Sequence, residues 1–136
     1  MWARAVRVAS LEIPIEGGHK MTKTAVIVRA DLSTEILDIT ENELSQLQQA
    51  VDGLIQPVDI GPVTMWVNEE GLMRNDLKAN WIASGFMKEI GSGTPIMGDA
   101  VFTGGTDEDG NTLGMPEDAM SELLRVTAKA KEVLGL

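Results

Sequence analysis

No cysteine occurs among the 136 residues, so thiol nucleophiles, thiolate zinc centres and disulfides are excluded together. Histidine is nearly absent, the single copy being His19 near the N-terminus. A Ser-His-acid arrangement would have to recruit that residue, and a lone histidine there is ordinarily a solvated side chain. The usual zinc patterns fail for the same reason. No apolar run approaches the roughly 20 residues needed to span a bilayer. Basic charge is also scarce: 11 Lys and Arg stand against 21 Asp and Glu, a formal net charge of −10. A field of that sign repels phosphates, so direct nucleic-acid binding is disfavoured, while a basic partner surface is favoured. The plainer alternative is a well-solvated acidic surface. Without cysteines or a secretory signal, the expected compartment is the cytoplasm.

What is present fits one domain. Hydrophobic residues make up 43% of the chain, enough for a core without metal or disulfide staples. Residues 1–20 differ from the rest, with Arg4, Arg7 and Lys20 against Glu12 and Glu16, so the excess of acid lies wholly beyond them. They read as a leader, and residues 21–136 as a single α+β domain. Glu16-Gly17-Gly18 can be encoded by a purine-rich ribosome-binding sequence just before Met21, which makes Met21 a candidate translation start. His19 would then be lost.

The pattern becomes regular after Met21. Thr24-Ala25-Val26-Ile27-Val28 and residues 35–39 read as two strands around a turn at residues 30–33. Thr40-Glu41-Asn42-Glu43 predicts a capping box before a helix carrying Leu44, Leu47 and Val51 inward, closed by Gly53 in a left-handed cap. Residues 55–60 and 63–67 flank Gly61-Pro62 as a second hairpin, with Pro57 restricted to an edge or a strand start. Asn68-Glu69-Glu70-Gly71 is a turn with Gly71 suited to positive φ. Asn75 or Asp76 is placed to cap a short helix through Leu77, Trp81 and Ile82, ending near Gly85. Pro95 opens a run, Ile96-Met97-Gly98-Asp99-Ala100-Val101-Phe102, that reads as a buried strand with a bulge at Gly98. Met115-Pro116-Glu117-Asp118 starts a last helix, with Met120, Leu123, Leu124 and Leu134 along one side. The expected fold is α+β, a mixed or antiparallel sheet of about five strands with two or three helices.

Few of these features carry chemistry. Asp107, Asp109 and Asn111 alternate as in a calcium loop, but Thr112 stands where that loop needs glycine and Asp109-Gly110 suits an ordinary turn. Gly91-Ser92-Gly93-Thr94 lacks the Lys-Ser/Thr of a phosphate loop and precedes a strand rather than a helix. Asp99, an acid in an apolar run, either faces solvent or is satisfied by hydrogen bonds. Trp66, Trp81, Phe86 and the methionines 65, 73, 87 and 97 supply either a core or an adaptable binding surface.

Trp66-Val67-Asn68-Glu69-Glu70-Gly71, a short helix, Ile96-Met97-Gly98-Asp99-Ala100-Val101 and an acidic Asp-Gly turn together resemble an uncharacterised family of phages, mobile elements and actinobacteria, domain of unknown function 3846. Val51-Asp52-Gly53-Leu54-Ile55 also fits. The resemblance covers residues 21–118. Where such proteins carry a Pro-Asn-Arg-like stretch, this chain has Arg74-Asn75-Asp76-Leu77-Lys78-Ala79-Asn80. It implies an accessory protein of a phage or mobile element and carries over no catalytic residue. The expectation is a non-enzymatic protein, without cofactor or metal, that binds a host macromolecule in host takeover or counter-defence. Its interaction candidates are Trp66, Asn68, Glu69, Glu70, Trp81, Gly98 and Asp99. Alternatives are a small-ligand or nucleotide-signal binder using Arg74, Lys78 or Lys88 against phosphate, an acidic DNA mimic, and a metal-dependent hydrolase on Asp99, Asp107 and Asp109. Translation from Met21 predicts that mass spectrometry of protein from the native gene finds no peptide from before that residue; any such peptide ends the reading.

Overall fold

The computed structural model describes residues 23–136; the leader and His19 lie outside the described residues. Five strands form one antiparallel sheet in the order β2-β1-β5-β4-β3: β1 (Lys23–Val28), β2 (Thr34–Ile39), β3 (Ile55–Ile60), β4 (Val63–Asn68) and β5 (Ala100–Gly104). Among the described residues three α-helices cover it: α1 (Glu43–Val51), α2 (Trp81–Glu89) and α3 (Glu117–Leu134). The fold is α+β, as the alternation of hairpins and helices predicts.

Helices lie on both faces, which explains the strand sequences. On one side α1 sets Leu47 and Val51 against Ala25, Ile27, Ile39 and Val101. On the other, Ile82 and Ala83 of α2 and Ala119 and Leu123 of α3 pack against Val26, Val28, Met65 and Phe102. Central strands with no wet face need apolar residues at successive positions, and all five residues of β5 are buried. The outermost strands β2 and β3 keep the exposed polar positions. Pro57 lies on the β3 edge, where its missing N–H does not break a central ladder.

Several local expectations give way to tertiary contacts. The capping box does not close. Glu43 instead accepts from the Thr112 hydroxyl at 2.7 Å and lies 3.6 Å from the Lys23 ammonium, while Gln46 accepts from the Thr40 amide at 2.8 Å. Leu44 is 59% exposed, and Leu134 is exposed as well. The left-handed cap of α1 falls on Asp52 rather than Gly53. Gly53 is needed for space, because a methyl there would stand 2.7 Å from the Asn68 side-chain nitrogen. Gly71 has no positive φ and begins a short 3-10 turn, Gly71–Met73. Gly104 ends β5, and a methyl on it would overlap the Gly114 carbonyl.

The largest departure concerns α2 and β5. The helix starts at Trp81, not near Asn75, and runs past Gly85 to Glu89. The strand starts at Ala100, not Ile96, because Gly98 takes φ +94° and turns the chain out of the sheet. Met97 bridges to Ala79, and the Gly98 amide donates to the Lys78 carbonyl at 2.7 Å. Residues 78–80 are thereby held extended and cannot join the helix.

Asn80 is the junction of these segments. It is fully buried. Its amide nitrogen donates to the carbonyls of Val28 and Gly98, each at 3.0 Å, and its oxygen accepts from the Ala83 amide at 3.0 Å as the cap of α2. An Asn80→Ala substitution would strand two buried acceptors and one donor, each costing roughly 1–3 kcal/mol. The expected loss in urea denaturation is about 3 kcal/mol or more; a loss below about 1 kcal/mol, an ordinary cap, would contradict the junction.

Candidate functional site

The turn after β4 and the loop before β5, separated by more than twenty residues, come together at one end of the molecule. Asn68 anchors this end. Its side-chain nitrogen donates to the carbonyls of Val51 (3.0 Å) and Asp52 (3.2 Å), and its oxygen accepts from the Glu70 amide (2.8 Å). The end of α1 is thus tied to the turn following β4. Arg74 closes the same junction from outside, donating to the Asp52 carbonyl at 2.7 Å and pairing with the carboxylates of Asp52 (2.9 Å) and Asp76 (2.7 Å). These bonds, to Asp76 first and then Asp52, raise the guanidinium pKa further and lower that of Asp76. Gly71 backs onto the Met97 carbonyl, where a methyl would stand at 3.2 Å.

Between these segments lies an open groove of about 400 Å³, with Val58, Val67, Met87 and Ile96 among its apolar lining residues and Gln56, Asn68, Glu69 and Thr94 among its polar ones. Leu72 and Met73 also line it and stand 63% and 78% exposed. A second cleft of about 300 Å³ opens between α2 and α3 beside the Gly61-Pro62 turn. Its lining is apolar apart from Glu89 and includes the tilted pair Phe86 and Phe102, with ring centroids 5.4 Å apart.

The sequence candidates divide among different places. Asn68 and Glu69 line the groove, although Asn68 is committed to holding backbone. Glu70 is exposed beside it. Trp66 packs on the α1 side of the sheet and donates to the Thr103 hydroxyl at 2.9 Å. Trp81 is 63% exposed at the start of α2. Gly98 is buried against Leu77. Asp99 is half-buried, accepts from the Ala30 amide at 2.9 Å and lies 4.0 Å from Arg29, supporting the β1–β2 turn. Neither Asn80 nor Leu72 is a site candidate in the sequence alone. Only Asn80 had a signal there, a cap-type residue directly before Trp81-Ile82.

Neither cleft is lined by lysine or arginine, so Arg74, Lys78 and Lys88 do not converge on a phosphate pocket there. Among the described residues no three acidic or histidine side chains are grouped to hold a metal ion, and Asp99, Asp107 and Asp109 form no such set. In the acidic turn, Asp107 accepts from the amides of Asp109 (2.8 Å) and Asn111 (2.9 Å), and Gly110 takes φ +84°. Thr106 and Thr112 bridge across its base.

Residues 21–128 match the family described as Domain of unknown function (DUF3846). The chain belongs to that family. No curated protein and no solved structure matches it. The family match takes in the whole sheet, α1, α2 and much of α3, and therefore both halves of the groove. Among the described residues no helix is long and apolar enough to cross a membrane.

The amide bonds to Asp107, from Asn111 and then Asp109, favour its carboxylate and hold its pKa below the ordinary aspartate range. A depressed folded pKa adds stability above the unfolded value near 3.9, and that stability is lost as pH falls through the folded value. Carboxyl NMR titration should place the Asp107 midpoint below that of free aspartate. A midpoint at or above about 3.9 would mean that these amides do not hold the carboxylate.

Proposed function

We propose that this member of the family acts by non-catalytic binding to a host protein, as an accessory factor of a phage or mobile element. The observation that carries the reading is the groove at the Asn68 end. Its walls are braced by Asn68 and Arg74, yet Leu72 and Met73 on its rim are left in water. Exposing two large apolar side chains costs favourable burial, and such residues beside a partly apolar groove suit a protein partner's side chain. Methionine adapts its shape to the surface it meets, and Met73, Met87 and Met97 all line this groove.

The remaining readings gain less. A nucleotide signal would want cations in a cleft, which both clefts lack. A DNA mimic needs an uninterrupted row of free carboxylates, whereas Glu35, Glu43, Asp52, Asp76 and Glu122 are each engaged by an arginine or lysine of the same chain. Carboxylate chemistry on a metal would need acids brought together, and the acidic turn spends Asp107 on its own backbone.

The test is capture of host proteins by the full chain and by a Leu72→Ser, Met73→Ser variant, followed by calorimetry on whatever is recovered. Both side chains are largely solvated, so the variant should keep its melting midpoint. Its affinity should fall by about tenfold or more, the scale of losing an interface anchor. A recovered partner that binds both proteins equally would remove the groove from the account.

A further inference from the structure

The sheet has two edges, and the chain treats them differently. On β3 the central Pro57 removes an outward donor, so an approaching strand meets an interrupted edge. Strand β2 carries no proline, glycine or bulge, and its register runs unbroken from Thr34 opposite Val28 to Ile39 opposite Lys23. Among the described residues no strand lies beyond it.

The outward backbone groups of β2 follow from two bonds. The Arg29 amide donates to the Ser33 carbonyl at 2.9 Å, closing the hairpin on that pair. In an antiparallel ladder the next bonded pairs lie two residues away each time. Ser33 is therefore followed by Glu35, Leu37 and Ile39 facing β1, while Thr34, Ile36 and Asp38 turn their N–H and C=O groups outward. The Asp38 carbonyl confirms this direction, since it accepts from the Gln46 side chain at 2.8 Å rather than from the ladder. Gln46 thus covers one end of the edge and leaves the part around Ile36 open. The Ile36 side chain is 48% exposed.

Beside this edge, on the α1 face, a shallow cleft of about 280 Å³ has Ile27, Leu37 and Ala50 among its lining, with Glu35 and Gln49 as polar members. An apolar surface with a carboxylate beside it suits the aliphatic stem and charged head of a lysine or arginine. Glu35, Asp38 and Glu41 stand along the strand and beyond its end against Arg29, which already pairs with Glu35.

We propose that β2 is a strand-addition edge that takes an extended basic segment of a partner protein, bonded to the backbone of Ile36 and placing a lysine or arginine over the Leu37–Ala50 cleft. Charge selects this occupant. A second copy would bring the same acids and a net charge of −10 to the contact. It would also find the Asp38 carbonyl held by Gln46 on both sides of a pairing centred on Ile36. Main-chain bonds along such an edge supply affinity, and alternate side chains supply selectivity. The inference rests on the reading of the chain as a binding protein, but it uses a surface other than Leu72 and Met73.

The probe is a fluorescein-labelled Lys-Val-Lys-Val-Lys-Val peptide titrated into the full chain, read by anisotropy and by backbone amide shifts. Saturable binding is expected, with the largest shifts at residues 34–38 and slowed exchange of the Ile36 amide. Methylating alternate peptide amides, or an Ile36→Pro substitution, should weaken binding about tenfold or more, and Asp38→Lys should weaken it similarly. Because the Ile36 amide points away from β1, the proline variant keeps the hairpin bonds; the methylated peptide tests the same contact without altering the protein. Absence of saturable binding overturns the proposal, as does equal binding by the methylated peptide, which would mean charge attraction alone. Sedimentation showing a dimer that Ile36→Pro dissolves would assign the edge to a second copy and overturn it too. The Leu72→Ser, Met73→Ser variant should bind the peptide like the unaltered chain, so failure of the groove reading is distinguishable from failure of this one.

Discussion

Three backbone groups from separate parts of the chain meet the carboxamide of Asn80: the Val28 carbonyl ending β1, the Gly98 carbonyl before β5 and the Ala83 amide in the first turn of α2. None is close to the others in sequence, and Asn80 itself is wholly out of water. A buried carboxamide is tolerable only when its groups are bonded, and this one has found a partner for each of three. The positions of α2 over the sheet and of β5 between β1 and β4 depend on that arrangement. So does the shape of the groove, because its wall at residues 94–97 is the segment that Asn80 and its neighbours draw against the helix through the Ile96 carbonyl, 2.8 Å from the Asn80 amide.

A second asparagine performs the corresponding task on the other side. Asn68 ties the end of α1 to the turn after β4, and Gly53 leaves it room to do so. With α1 fixed on one face and α2 and α3 on the other, the central strands have no solvent-facing side. The clefts described above therefore fall at the margins of the sheet, where helices end or strands lack a neighbour. One buried polar atom remains outside this economy: the Thr127 hydroxyl of α3 has no hydrogen-bond partner among the described residues.

The acidic character of the chain is partly internal. Carboxylates hold turns at Asp31, Asp99 and Asp107, and others pair with Arg29, Arg74 and Arg125. Exposed ion pairs add little stability individually, but they fix where negative charge is left over. Beyond the β1–β2 hairpin that remainder includes Asp38 and Glu41 beside an edge strand, a different environment from the partly apolar groove at the Asn68 end.

The order of hairpins and helices was legible in the residues themselves. β-branched runs, the Gly61-Pro62 turn, the spacing of Leu47 and Val51 and the edge position required by Pro57 are local consequences of backbone sterics and side-chain periodicity, and they needed no partner to act. The family motif was legible in the same way, as two short strings on either side of α2. What the residues alone did not reveal is where each string points. Trp66 and Asn68 are two positions apart on a strand and share its α1 face, yet one donates to the Thr103 hydroxyl across the sheet while the other ties down the end of α1. Asn75, Asp76 and Asn80 are all acceptable helix caps, and only the carbonyls of Val28 and Gly98, brought near by the sheet, selected Asn80. Likewise Gly98 could have stayed within a strand until the bridge from Met97 to Ala79 gave its backbone another partner. Periodicity is a property of neighbours along the chain, whereas the choice among equivalent polar residues is made by unsatisfied groups that only folding brings within 3 Å.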